Sequence, residues 1–383
     1  MVVAARLLTL GQFADLALVA ALTGIAVQVA DLGVAVQLPQ AFASETSGMP
    51  VRAIRQAFLR RLAGSLVTAP ILVAAFLTAA STGSLVVAVG FAVSTIATAT
   101  YGAGYVALRS VDSYGLESAL EPAGRVVVLA LGAYGAATGH GLAWIAMSYA
   151  LADVLILGIV GAAVARRCHG STKGAPLGRV TWLLAAGPVG MVYWRADIWL
   201  LASLATSAQV ALYGSSYRLL DAALLPALVA AQLFLAPFVR CPPHQRRAFV
   251  SRWVVGSVAM TLPFTLVAVA FGRPLLTLVF GPAFAGATAS LTFLALAAPL
   301  TAAAFVLTAA LASLDPRAYI ILATMVLGLN LLGNLLLAPS FGAAGAASMT
   351  LLSQVVFVSA QWAMVRRRLT SASADATSLS FRP

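Results

Sequence analysis

The sequence predicts an all-α polytopic membrane protein. Two observations carry that prediction: a long series of apolar stretches, and the placement of arginine between them. With 61% hydrophobic and 9% charged residues over 383 positions, the chain has too few polar side chains to cover a soluble globule. Eleven apolar stretches run at roughly 12–42, 58–79, 83–107, 121–138, 141–165, 180–203, 207–239, 249–271, 287–312, 318–338 and 342–364. Most reach the ~20 residues that cross a bilayer as a helix.

Charge then sorts the gaps. Alternate connections carry Arg52, Arg55, Arg60 and Arg61; Arg109 and Arg125; Arg166, Arg167, Lys173 and Arg179; Arg240, Arg246, Arg247 and Arg252; and Arg317, while Arg366, Arg367 and Arg368 follow the last stretch. The intervening gaps carry almost nothing, with Arg6 and Arg273 the exceptions. The positive-inside rule therefore places the basic connections and the C-terminus in the cytoplasm. A net charge of +12 invites a nucleic-acid reading. Arginines at helix ends facing anionic membrane lipids account for it, so no nucleic-acid partner is expected. Cys168 and Cys241 fall on the predicted cytoplasmic side and read as idle, reduced thiols.

Taken in order, the first stretch raises a topological question, because eleven spans that end inside must begin outside. VVAARLLTLGQF lacks the basic n-region, apolar core and small-residue cleavage site of a signal peptide. It looks like the last turn of a helix followed by a short external turn, so the expectation is twelve spans with the first truncated. Asp31-Leu32-Gly33 breaks the next helix before it resumes through Gln37 and Gln40, and Asp31 reads as a cap rather than a proton carrier. The Arg166–Pro176 segment clusters charge, Gly, Ser and Pro as a surface linker does. The predicted organisation is a first bundle over 1–168, a cytoplasmic linker over 169–179, a second bundle over 180–368 and a disordered tail over 369–383. A weak internal repeat agrees: AYGAATGHGLAWIAMSYALAD precedes the last helix of the first half, and APSFGAAGAASMTLLSQVV that of the second. Such parallel halves are typical of transporters. Pro70, Pro188, Pro226, Pro263 and Pro299 interrupt apolar runs, and Gly102, Gly104, Gly187, Gly190, Gly328 and Gly333 suit close helix approach.

Ionisable groups inside the stretches are the sharper signal. Arg195 and Asp197 lie within the sixth, Arg218 and Asp221 within the seventh, where each charge costs ~2.5–3.5 kcal/mol at mid-bilayer by insertion scales. Two readings stand. Arg218 and Asp221, three apart on one helix face, suit a local ion pair. Alternatively Arg195 and Arg218, ~24 Å and ~15 Å along their helices from opposite membrane faces in a ~30 Å core, come within ~10 Å of each other in depth and hold an anion between them. Elsewhere, Asp15 and Asp153 lie in or near spans, Glu121 and Arg125 read as a solvated i,i+4 pair, and Asn330 with Asn334 as interhelical glue.

Four blocks together resemble the polysaccharide transport family of lipid-linked oligosaccharide flippases, relatives of the multidrug and toxin extrusion (MATE) transporters. They are LTLGQFADLALVAALTGIAVQVADLGVAVQLPQAF; WRADIWLLASLATSAQVALYGSSYRLLDAALLPAL, with Arg195-x-Asp197, Tyr213-Gly214 and Tyr217-Arg218-Leu219; LLTLVFGPAFAGATASLTFLALA; and FGAAGAASMT. The resemblance covers almost the whole chain in order. It implies two six-helix bundles around a cavity that opens alternately to each side, in a bacterial plasma membrane. It also implies a polyprenyl-pyrophosphate-linked glycan as cargo, and as partners, beside membrane lipids, the polymerase and glycosyltransferases of the same pathway. Family members begin one helix earlier, so a truncated, inactive relative stays an alternative.

Flipping breaks no covalent bond, and no enzyme activity is expected. Arginine suits a pyrophosphate because its planar fork binds phosphate oxygens bidentately and stays charged. Arg195 and Arg218 are therefore the expected head-group contacts, with Asp197, Asp221 and Tyr217 beside them. The sequence lacks a G-x-x-x-x-G-K-[ST] loop, and its one lysine, Lys173, sits in the linker, so no ATP or other cofactor is expected. An ion gradient is the expected driver, and no acidic residue identifies the ion. A multidrug exporter for cations is the competing function; its cavity calls for acidic or aromatic groups.

Overall fold

A computed structural model describes residues 2–44, 50–111, 113, 115–168, 176–177 and 186–380. Among these the helices are α1 (Val2–Leu7), α2 (Leu10–Ala30), α3 (Val34–Ser44), α4 (Val51–Ala79), α5 (Leu85–Arg109), α6 (Gly115–Ala137), α7 (Gly141–Arg167), α8 (Ala186–Leu204), α9 (Ser207–Arg240), α10 (Arg246–Phe280), α11 (Thr288–Leu314) and α12 (Pro316–Ser380). Short 3-10 turns lead into α10 and α11, and no strand occurs among the described residues. Among the described residues, eight helices are long and apolar enough to cross a membrane. The shorter α6 and α8, which carry charges, and the second half of the kinked α12 supply the remaining apolar stretches.

Local chemistry sets the helix boundaries. Thr9 and Gln12 close a capping box at the start of α2. At its end, Leu32 and Gly33 take left-handed φ of 45° and 76°, and the Asp31 carboxylate accepts from Ala35 N at 3.2 Å, capping α3 as expected. Pro274 interrupts α10 three residues after the non-helical Phe271. Pro188 is the third residue of the described part of α8. Gly342, at φ 52°, ψ −133°, divides α12 in two. The helix then continues to Ser380, over the polar stretch that composition marks as disordered. Of the 169–179 linker only Pro176 and Leu177 are described; Lys173 and Arg179 lie outside the described residues.

The chain divides into two compact units, Met1–Arg195 and Ala196–Pro383, with the boundary inside α8. In the first, α5 packs against α2, α4 and α7, while α6 lies on α7 and α1 on α6. Its core near the basic helix ends joins Val34, Leu38, Ile54, Tyr101, Tyr105 and Val160. In the second, α11 takes the central place, packed on α9, α10 and α12. Phe234, Phe238, Val250, Val306, Leu307 and Val365 form its core at the basic end. Cys168 and Cys241 are free and half-buried, and burial pushes the Cys168 thiol above its usual pKa, which keeps it protonated.

Candidate functional site

In the second unit, Tyr213 of α9 and Thr350 of α12 converge on Asp197 of α8. Its side chain is buried and accepts hydrogen bonds from the Tyr213 hydroxyl of α9 and from Thr350 of α12 at 3.4 Å. Tyr213 and Thr350 are themselves 3.2 Å apart, and the rings of Tyr213 and Tyr217 lie 5.5 Å apart, one turn apart along α9. Arg218 pairs with Asp221 at 3.6 Å, both about a quarter exposed. Arg195 is half-buried, two residues before Asp197 on α8. The structure thus joins Asp197 to Tyr213 and Thr350, and Arg218 to Asp221. The Tyr213 and Thr350 contacts escape the sequence pattern, because neither residue is charged and α12 is distant in the chain.

The first unit holds an ionic centre of which the sequence exposes only a part. Arg125 lies 3.4 Å from Glu121, the expected i,i+4 contact. It also lies 3.6 Å from Asp153 of α7 and stacks its guanidinium over the Tyr149 ring at 5.4 Å. Asp153 is only 1% exposed and accepts from Ser94 at 2.5 Å and from Tyr101 at 3.4 Å, both on α5. The reading of Glu121 and Arg125 as a merely solvated pair is therefore incomplete. Because α6 begins at Gly115 rather than at 121, Arg125 stands ten residues in, ~15 Å along the axis. A cavity of about 240 Å³ opens beside the centre, lined by Arg125, Tyr149, Leu16, Val128 and Ile145, with Leu7 of α1 on its wall.

A second ion pair stabilises the break after α2. Arg60 and Arg61, expected in a loop, are residues of α4. Arg61 reaches Asp31 and Ala99 O at 3.4 Å, with its Nε left without a partner. Its guanidinium occupies the space where a Cβ on Gly102 would stand. Arg60 donates to Gln37 at 2.8 Å and to Leu177 O at 3.4 Å, which ties the described end of the linker to α4. Asp15 has a structural task, accepting from the Ser81 and Thr82 amides at 2.7 and 2.9 Å and so capping the α4–α5 turn. Asn330 donates to Ser353 across the Gly342 kink at 3.2 Å, while Asn334 bonds back to Asn330 at 3.0 Å. No group of three or more His, Cys, Asp or Glu side chains suited to a metal occurs among the described residues.

No protein-family model matches the chain, and no curated protein matches it. Solved structures do. An inward-facing multidrug resistance MATE family transporter of the MOP superfamily matches with a TM-score of 0.74 at 13% identity, covering 97% of this chain and 94% of that one. Lipid II flippase MurJ in an inward closed conformation matches at 0.66 and 12% identity, covering 96% and 88%. The Vibrio cholerae MATE transporter VcmN in its bent form matches at 0.58 and 16%, covering 94% and 86%. The chain has the fold these proteins share.

Proposed function

We propose that the chain is a transporter that flips a polyprenyl-pyrophosphate-linked oligosaccharide across the plasma membrane, by ion-coupled alternating access, for cell-surface polysaccharide synthesis. The observation that supports it most is the hydrogen bond between Asp197 and Tyr213, which sets the level of α8 against α9. Arg195 precedes Asp197 by two residues and Arg218 follows Tyr213 by five. In antiparallel helices both lie on the same side of that bond, within ~4.5 Å of each other in depth. Two guanidinium groups at one level in a low-dielectric slab favour a multivalent anion, and the pyrophosphate is the part of the cargo that needs such a partner. Asp221, 3.6 Å from Arg218, balances that arginine when no anion is present, and Tyr217 packs against Tyr213. The lipid tail stays in the bilayer, and the reaction makes and breaks no covalent bond.

The test is glycan export in cells. Arg218→Ala abolishes export at normal protein levels, and Arg218→Lys restores it only in part, because the bidentate fork is lost. Full export by the alanine variant would leave Arg218 and Asp221 as a structural pair.

A second reading, export of organic cations, has its own support. Arg125 faces both Asp153 and Glu121, so the centre carries a formal charge of about −1 when ionised, next to a cavity walled partly by Tyr149. Loss of cation efflux in Asp153→Asn with glycan export intact would select this reading.

A further inference from the structure

The membrane face between α9 and α10 carries a groove of about 180 Å³, lined by Ala230, Arg252, Trp253, Gly256, Ser257 and Met260. That volume is below the ~300 Å³ at which drug-sized pockets begin, and it suits a segment of hydrocarbon chain. Its polar features point to a ligand. Ser257 is 1% exposed, and its hydroxyl has no hydrogen-bond partner, although Thr261 and Thr265 on the same helix bond back to carbonyls one turn earlier. Arg252 is exposed and has no carboxylate among the described residues. It stands six residues into α10, ~9 Å from the basic helix end, and Met260 lies ~12 Å deeper. The groove wall is rigid: Trp253 packs edge-on against Phe234 at 5.8 Å and tilted against Phe249 at 5.9 Å. Nothing lies within 4 Å of where a side chain on Gly256 would begin.

We infer that this groove is a binding site for an anionic glycerophospholipid, with the phosphate on Arg252, an ester oxygen on the Ser257 hydroxyl, and an acyl segment lying over Gly256 to Met260. A cation at interfacial depth, a buried donor without a partner and an apolar trough follow one another along α10 in the order in which phosphate, ester and chain follow one another in such a lipid. The depth also agrees, since a guanidinium one to two turns inside the helix end sits at head-group level. This site is separate from the α8–α9 arginines and does not depend on what is transported.

Thermal unfolding of the purified protein in detergent tests it, with added phosphatidylglycerol, phosphatidylcholine or glycerol 1-phosphate. Phosphatidylglycerol raises the midpoint by several degrees more than phosphatidylcholine, and glycerol 1-phosphate has no effect. Arg252→Gln removes the difference between the two lipids. Gly256→Leu, which fills the trough, removes the response to both, and Ser257→Ala weakens it. All three variants keep the wild-type midpoint in detergent alone; one that does not is replaced by Met260→Ala, which widens the trough and lowers lipid affinity without touching the core. An equal phosphatidylglycerol response in wild type, Arg252→Gln and Gly256→Leu overturns the site. Stabilisation by glycerol 1-phosphate equal to that by the lipid overturns the acyl-chain assignment.

Discussion

The two units solve the start of their last long helix in the same way and fill the space behind it differently. In the first, Gly141 opens α7 at φ 55°, and a Cβ there would meet Gln12 at 2.7 Å. In the second, Gly342 opens the last part of α12 at φ 52°, and a Cβ there would meet Gln209. Each glutamine stands three residues after an N-cap threonine, Thr9 in one unit and Thr206 in the other. Gln12 completes a capping box with its threonine, whereas Gln209 reaches over and accepts from Ala343 N at 2.9 Å. Twelve residues beyond each glycine stands a buried polar side chain. In the first unit it is Asp153, held by Ser94, Tyr101 and Arg125; in the second it is Gln354, whose Oε1 has no partner. A repeated scaffold thus carries an ionic centre in one copy and a neutral amide in the other. Charge-dependent work at this position belongs to the first unit, while in the second the carboxylates Asp197 and Asp221 stand elsewhere, on α8 and α9.

The strongest way to break this comparison is to remove the cation. Arg125→Leu leaves the buried Asp153 with Ser94 and Tyr101 but no cation; because Arg125 is itself 44% exposed, solvent screening reduces the expected loss to about 1–3 kcal/mol, and an unchanged unfolding midpoint in detergent would show that Asp153 does not depend on Arg125. Asp153→Asn should cost much less, since the amide still bonds Ser94 and Tyr101. Next come the two glycines. Gly342→Ala and Gly141→Ala each force a Cβ into a left-handed conformation at ~1–2 kcal/mol, with the larger loss at Gly342, where the contact is closer. Adding Gln209→Ala to Gly342→Ala should recover the steric part and leave the backbone part, and full recovery would mean that φ is relaxed there. Gln354→Leu sharpens the contrast from the other side, because it removes an unpartnered carbonyl and should change stability by less than ~1 kcal/mol.

The smallest effect concerns acid. Asp315, in the turn between α11 and α12, is held below the usual carboxylate range first by the Ala318 N–H and then by Arg368. A depressed folded-state pKa contributes stability that is complete above the unfolded value, near 4, and is lost as pH falls through the folded one. Wild type should therefore lose slightly more stability than Asp315→Asn between about pH 5 and pH 2.

Periodic apolar length makes the helices legible in sequence, and Asp31-Leu32-Gly33 announces its own break. Hydropathy does not reveal how far a helix continues past its apolar stretch. The polar first turns of α4 and α6 hide the depth of Arg61 and Arg125, and with it their partners Asp31 and Asp153. Tertiary pairing through neutral hydroxyls, such as Thr350 on Asp197, leaves no charge pattern to read. Arg218 and Asp221 are three apart in sequence and are paired in the structure.

The space beside Gly102 that Arg61 fills makes the two positions interdependent. A Cβ at 102 would meet the guanidinium, the far end of a flexible side chain, whose displacement would strain its contact with Asp31. A larger residue at 102 therefore acts through that ion pair, and a shorter side chain at 61 removes the clash and the pair together.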